Sequence, residues 1–350
     1  MSESMTIRFE LVTPELLTRM LALRWPGIHL TDVEVLRAIP GTATKLHLRL
    51  RYEKEMPGAP ATLWLKGGLE AHSADYASLY ATEGGFYREF AAIIAPGCPR
   101  SWYAPPLTGD APPYLLLEDL VARGARFGDA REALSVAEAE QVLDNLAHVH
   151  AARSVHELAE HPWLPDAATQ VFPTLIEAWT TPAHWTAHLA LPRGQAVTPA
   201  LRDVDRIRAA LMALVGISRA ASSGLVHGDA HVGNLYFDAD GGAGYLDWQT
   251  VMRGCWAHDI AEFLGSALAV ETRREHERAL LDRYLRTLEA LGGAAPSFDT
   301  AWLLYRQHMI WAYMWVLCPV QLQPEAICTS NAARAVAALE DLDTLRALGA

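Results

Sequence analysis

The sequence predicts an α+β protein, with a small antiparallel β-sheet lobe followed by a helix-rich lobe. Three observations carry this. Period-two alternation of apolar and polar residues is confined to the first third of the chain, and helical texture fills most of the chain after residue 120. One stretch, 224–248, interrupts those helices with two short apolar strands around a polar loop. At 350 residues the chain also exceeds the roughly 250–300 at which a single core stops growing, so two lobes are expected.

Thr13-Pro14-Glu15 supplies a capping hydroxyl, a first-turn proline and an early acid, and opens a helix that should run to about Leu23. Val33, Val35 and Leu36 read as a strand that stops at the breaker Ile39-Pro40-Gly41-Thr42. In the next strand Leu46, Leu48 and Leu50 alternate with His47, Arg49 and Arg51. After the turn Pro57-Gly58-Ala59-Pro60 the run 61–66 makes a third. Residues 73–94 should be helical with a bend at Gly84-Gly85, since each glycine costs up to about 1 kcal/mol relative to Ala. A proline-rich stretch (Pro96, Pro99, Pro105, Pro106, Pro112, Pro113) leads into a buried strand, Tyr114-Leu115-Leu116-Leu117. Helices are then expected over 135–152, 201–222, 271–291, 299–317 and 331–348.

Composition excludes several classes. Half of the residues are hydrophobic (51%), so the chain folds, and a net charge of −12, most of it after residue 120, argues against a nucleic-acid polymer as partner. The N-terminus lacks the basic stretch and apolar run of a leader, and the longest strongly apolar stretch, 309–318, falls far short of the ~20 residues that span a bilayer. Cys98, Cys255, Cys318 and Cys328 are scattered without a C-x-x-C pair, which suits reduced thiols in the cytoplasm.

Chemistry concentrates in His227-Gly228-Asp229-Ala230-His231-Val232-Gly233-Asn234 and in Leu246-Asp247-Trp248. Asp229, Asn234 and Asp247 form an oxygen-rich set. Hard cations such as Mg²⁺ take one or two carboxylates plus phosphate oxygens, so this set suits Mg²⁺ better than zinc. A zinc pair from His227-x-x-x-His231 needs a helix to put both rings on one face, and Gly228 with Gly233 argues for a loop.

These two motifs resemble those of the aminoglycoside phosphotransferase and choline kinase superfamily. Through Glu83-Gly84-Gly85-Phe86-Tyr87-Arg88-Glu89-Phe90, the segment 114–120 and the run 246–264, the chain looks most similar to the ecdysteroid-kinase-like branch. The resemblance covers roughly residues 30–320. It implies a bilobal protein-kinase-like fold with an N-lobe over 1–117, a hinge at 118–121 and a helical C-lobe over 122–350. It further implies ATP and Mg²⁺ as cofactors, and transfer of the γ-phosphate to the hydroxyl of a small molecule.

Carried over by position, Asp229 matches the aspartate that accepts or orients the proton of the attacking hydroxyl, and Asn234 and Asp247 match the Mg²⁺ ligands. Lys66, one of only three lysines, ends the strand Leu63-Trp64-Leu65 where the family places a phosphate-reaching lysine. Its partner is expected to be Glu83, with Glu89 as the fallback. Gly41, Thr42 and Thr44 fall where a nucleotide-covering hairpin belongs, so that backbone and hydroxyls would face the phosphates. The hinge, including Glu118 and Leu120, would meet the base edge through its backbone. Asp259 resembles an aspartate that braces the loop around Asp229 and is read as structural.

Only eleven residues separate Asp247 from Asp259, too few for a long peptide-binding segment, so the acceptor should be a small alcohol. The aromatic residues of the helical lobe favour a moderately hydrophobic metabolite, while its acidity leaves an aminoglycoside or other cationic alcohol as the alternative. A non-catalytic nucleotide-binding regulator is the remaining reading, with the molecule a monomer or homodimer.

Overall fold

The computed structural model describes residues 7–106 and 113–350. Residues 1–6 of the N-terminal stretch read for a leader, and Pro112 of the proline-rich stretch, lie outside the described residues. The chain divides into two compact units: one runs up to Arg126 and includes Leu246–Thr250, the other holds Phe127–Tyr245 and Val251–Ala350.

The first unit is built on a five-stranded antiparallel sheet. Its strands are β1 (Leu30–Ile39), β2 (Thr44–Tyr52), β3 (Thr62–Gly67), β4 (Ser101–Tyr103) and β5 (Leu115–Glu118), in the order β1-β2-β3-β5-β4. Because side chains alternate along a strand, Leu46, Leu48, Leu50, Leu63 and Leu65 share one face. They are buried in a core with Leu16, Leu17, Met20 and Leu21 of helix α1 (Pro14–Leu21). Thr13 caps that helix by accepting the Leu16 N–H. The opposite face of the sheet therefore carries Lys45, His47, Trp64 and Lys66.

Helix α2 (Ala77–Glu89) follows a 3-10 segment, Ala71–Tyr76. It runs through Gly84-Gly85 without the bend expected there, and breaks instead at Phe90 before a short turn of helix, Ala91–Ile94. Burial overrides propensity here: residues 82–87 are all buried, and Gly84 seats against Pro105, where a Cβ would come within 3.0 Å of the proline ring.

The second unit is mainly helical. Helix α3 (Val136–Ala151) starts on a capping box between Ser135 and Glu138, and α4 (Val204–Ala220) starts on Asp203, which accepts the N–H groups of Asp205 and Arg206. Helix α5 (Ala257–Ala267) is buried at every position and touches α6 (Val270–Ala290), α7 (Phe298–His308) and α8 (Glu325–Asp341). The helix expected over 299–317 leaves α-geometry after His308, continues as a 3-10 segment, Met309–Tyr313, and ends in a short helix, Met314–Leu317. Every residue of 309–318 is buried, so no polar face enforces a helical period. Helix α8 begins six residues before the expected start, directly after Pro324, and stops before Asp343 in the left-handed region. Two small sheets complete the unit: β6 (Gly224–Val226) pairs antiparallel with β9 (Met252–Gly254), and β7 (Leu235–Phe237) pairs antiparallel with β8 (Ala243–Tyr245) in a sheet of three strands.

Candidate active site

In the first unit a buried charge cluster forms around Lys66. Its ammonium lies 2.8 Å from Glu83 of α2 and 2.7 Å from Asp247. Glu89 instead meets Arg88 at 3.1 Å, so Glu83 is the partner. Asp247 is held at φ 60°, a left-handed conformation unusual for a non-glycine residue. The next residue, Trp248, is fully buried and stacks on Phe86 of α2 with centroids 3.9 Å apart, which helps fix that geometry. Burial works against the Lys66 ammonium, but Asp247 and Glu83 outweigh it, and its pKa stands above the ordinary lysine value. Burial likewise disfavours charge on Asp247, yet Lys45 and Lys66 hold its carboxyl well below the usual carboxylate range. Burial raises Glu83, and Lys66 only partly offsets it.

Lys45 escaped sequence reasoning. It sits directly across from Lys66 in the β2–β3 register, and its ammonium reaches Asp247 at 3.1 Å. A signal existed, since Lys45 falls on the non-leucine phase of an alternating strand and is one of three lysines in the chain.

The other residues named for the first unit are engaged by protein groups. Thr44 is buried and donates its hydroxyl to Glu70 at 2.6 Å, and Thr42 donates to Gln249 at 3.3 Å. A buried carboxylate and an amide thus take the protons of the two hydroxyls. The Gly41 carbonyl accepts from His72. Glu118 accepts the Arg100 N–H and the Arg123 guanidinium, and Leu120 is buried.

In the second unit the loop after β6 carries Asp229. Gly228 adopts φ 84°, a positive value that glycine takes at no steric cost. Buried Asp259 of α5 gathers this loop: its carboxylate accepts the His227 N–H at 2.6 Å, the Gly228 N–H at 2.9 Å and the His150 ring at 3.0 Å. Burial works against charge on Asp259, but the His150 hydrogen bond and neighbouring imidazoles hold it down to about 2. One turn along α5, Glu262 accepts the Ala230 N–H at 3.2 Å; burial, then the charges of Asp229 and Asp259, push its carboxyl well up. Sequence reasoning missed Glu262, whose part depends on the turn of a buried helix. Asp229 itself remains partly exposed. Asn234 Nδ2 donates to the Asp229 carbonyl and to its carboxylate, both at 2.9 Å, which leaves the amide oxygen to serve as a donor for a cation.

Taken each by itself, Asn234 Oδ1 in the second unit and the Asp247 carboxylate in the first are oxygen donors of the kind a hard cation takes. His227 and His231 spend Nδ1 on the N–H groups of Asp229 and Gly233, so the loop does not form the helical pair that zinc would need.

A family model described as the ecdysteroid kinase-like family matches residues 79–292. The chain belongs to that family. As an ecdysteroid kinase-like protein it is a phosphotransferase with an alcohol group as acceptor. Among solved structures it is similar to an ethanolamine kinase of Plasmodium vivax, at 12% identity and TM-score 0.53, over 94% of this chain and 84% of that one. That likeness concerns the fold, which is protein-kinase-like. The choline kinase LicA from Streptococcus pneumoniae gives 12% identity and TM-score 0.49, over 93% and 98% of the two chains. The macrolide 2'-phosphotransferase MphH from Brachybacterium faecium gives 17% and 0.47, over 85% and 88%. No curated protein matches this ecdysteroid kinase-like chain. None of its helices is long and apolar enough to cross a membrane, among the described residues.

Proposed function

We propose that the protein is an ATP- and Mg²⁺-dependent O-kinase that phosphorylates a hydroxyl of a small, moderately hydrophobic metabolite. The observation that carries this is the buried Lys66 ammonium held by both Glu83 and Asp247, an arrangement suited to fixing a cation at phosphate oxygens. In this reading Lys66 takes the phosphates and Glu83 keeps its ammonium in place. Asp229, partly exposed, accepts or orients the proton of the acceptor hydroxyl, and Asp259 fixes the loop that aims it. Asn234 and Asp247 are the residues that would hold Mg²⁺, which when bound neutralises charge on the transferring phosphoryl group.

In the same reading, residues 1–117 act as the nucleotide-covering lobe, 118–121 as the hinge, with Glu118 and Leu120 contributing backbone, and 122–350 as the lobe of acceptor and catalysis. Gly41, Thr42 and Thr44 would cover the phosphates through their backbone. The cytoplasm suits the described cysteines, which are all unpaired and buried.

The test is ADP release by the wild-type protein with ATP and Mg²⁺ across a panel of sterols, sugars, choline and aminoglycosides. Turnover with an apolar alcohol supports the proposal. Turnover confined to aminoglycosides or choline would replace the acceptor class, and none with any alcohol would leave a nucleotide-binding regulator.

A further inference from the structure

Helix α2 holds Lys66 through Glu83, and one turn earlier the same helix carries Tyr80. Tyr80 donates its hydroxyl to the Thr42 carbonyl, at the tip of the β1–β2 hairpin. Its ring is wedged in place: a Cβ on Gly68 would come within 2.9 Å of it. Tyr80 also lines a small cavity together with Lys66, Glu83 and Gly84, so the ring reaches from the surroundings of the buried ammonium to the hairpin tip.

The tip has further tethers. His72, on the 3-10 segment before α2, stands with Nε2 3.0 Å from the Gly41 carbonyl, and because a carbonyl only accepts, that nitrogen carries the proton. The Thr42 hydroxyl donates to Gln249, two residues after Asp247. Both tip peptides are trans, and in a trans peptide the C=O of one residue and the N–H of the next point in opposite directions. His72 and Tyr80 belong to one stretch of chain and draw the Gly41 and Thr42 carbonyls to one side. The N–H groups of Thr42 and Ala43 are thereby turned to the other. A turn that met phosphate with carbonyl oxygens would repel it, whereas successive N–H groups on one side attract an anion.

We propose that Tyr80 and His72 are positioning residues for the donor nucleotide: by taking the two carbonyl oxygens of the hairpin tip, they turn the N–H groups of Thr42 and Ala43 to the phosphate chain. The inference rests on the reading that this hairpin covers the phosphates of ATP. Neither side chain touches phosphate, and each acts through the backbone it holds. Because Tyr80 and Glu83 ride on one helix, α2 sets the covering turn and the Lys66 ammonium together.

The experiment is calorimetric titration of the full chain with ATP and inorganic tripolyphosphate, each with Mg²⁺, and with adenosine. Tyr80→Phe keeps the ring against Gly68 and removes only the donor. It should weaken ATP and tripolyphosphate alike by about 3- to 10-fold, what one ordinary hydrogen bond is worth, and leave adenosine within about twofold. His72→Phe should act in the same way and gives the reading if Tyr80→Phe does not fold, while His72→Gln, which keeps a side-chain N–H, should restore most of the binding. A folded Tyr80→Phe or His72→Phe protein that binds both phosphate ligands within about twofold of the wild type overturns the part given to that residue. An equal loss of adenosine binding overturns the proposal, as does His72→Gln binding as weakly as His72→Phe. Wild-type protein that binds neither ATP nor tripolyphosphate would instead overturn the nucleotide reading beneath it.

Discussion

Lys45 and Lys66 face each other across the β2–β3 register, and both ammonium groups meet the same carboxylate, Asp247, at 3.1 and 2.7 Å. They are unequal partners. The Lys66 side chain is 5% exposed and that of Lys45 is 39%, so solvent screens the second far more. Lys66→Ala should lower kcat by about 10²–10³, the cost of removing one preorganised donor from a transferring group. Lys45→Ala should cost less than about tenfold. Steady-state kinetics with varied ATP checks both.

The choice of Glu83 over Glu89 has a signature in stability. Glu83→Gln removes a buried counter-charge from Lys66 and should destabilise by about 2–4 kcal/mol, Asp247 keeping the loss from being larger. Glu89→Gln alters a partly exposed contact with Arg88 and should cost less than Glu83→Gln. Urea denaturation of the two variants measures the difference.

Asp259 ties three donors to one buried carboxylate, so Asp259→Asn should lower stability by about 2–4 kcal/mol and reduce kcat at least tenfold through the loop that carries Asp229. Because its pKa is depressed to about 2, this contribution is full above the ordinary carboxylate pKa near 4 and fades as pH falls toward 2. The stability gap between wild type and variant should therefore shrink over that window.

A second pH effect comes from His308 at the end of α7. Burial lowers its pKa to about 3; Nδ1–H donates to the Leu304 carbonyl, and Nε2 accepts from Ser218. The unfolded chain takes up a proton below about 6.5 and the folded one does not, so stability falls as pH drops from 6.5 toward 3. By pH 5 the loss from this group is about 2 kcal/mol. Denaturation midpoints at pH 7 and 5 should differ less in His308→Gln than in the wild type.

Much of the site was legible because its residues sit in short, contiguous motifs. Asp229, Asn234 and Asp247 lie on two loops flanked by apolar strands, and Lys66 ends a strand of obvious apolar character. The residues that escaped depend on register and packing. Lys45 becomes a neighbour of Asp247 only once β2 and β3 are paired. Glu262 counts only through the turn of α5. Glycine propensity misplaced the bend at Gly84-Gly85, where contact with Pro105 decides the geometry. The run 309–318, apolar throughout, gives no period from which to read its break.

The central claim is that Asp229 serves phosphoryl transfer to a small alcohol. The most direct measurement is single-turnover formation of the phosphorylated acceptor by wild type and Asp229→Ala, at saturating ATP and Mg²⁺, with ATP affinity measured in parallel. The account predicts a rate lower by about 10²–10⁴ in the variant with ATP affinity little changed, as expected for loss of a general base. Product formation at near wild-type rate in Asp229→Ala would contradict it.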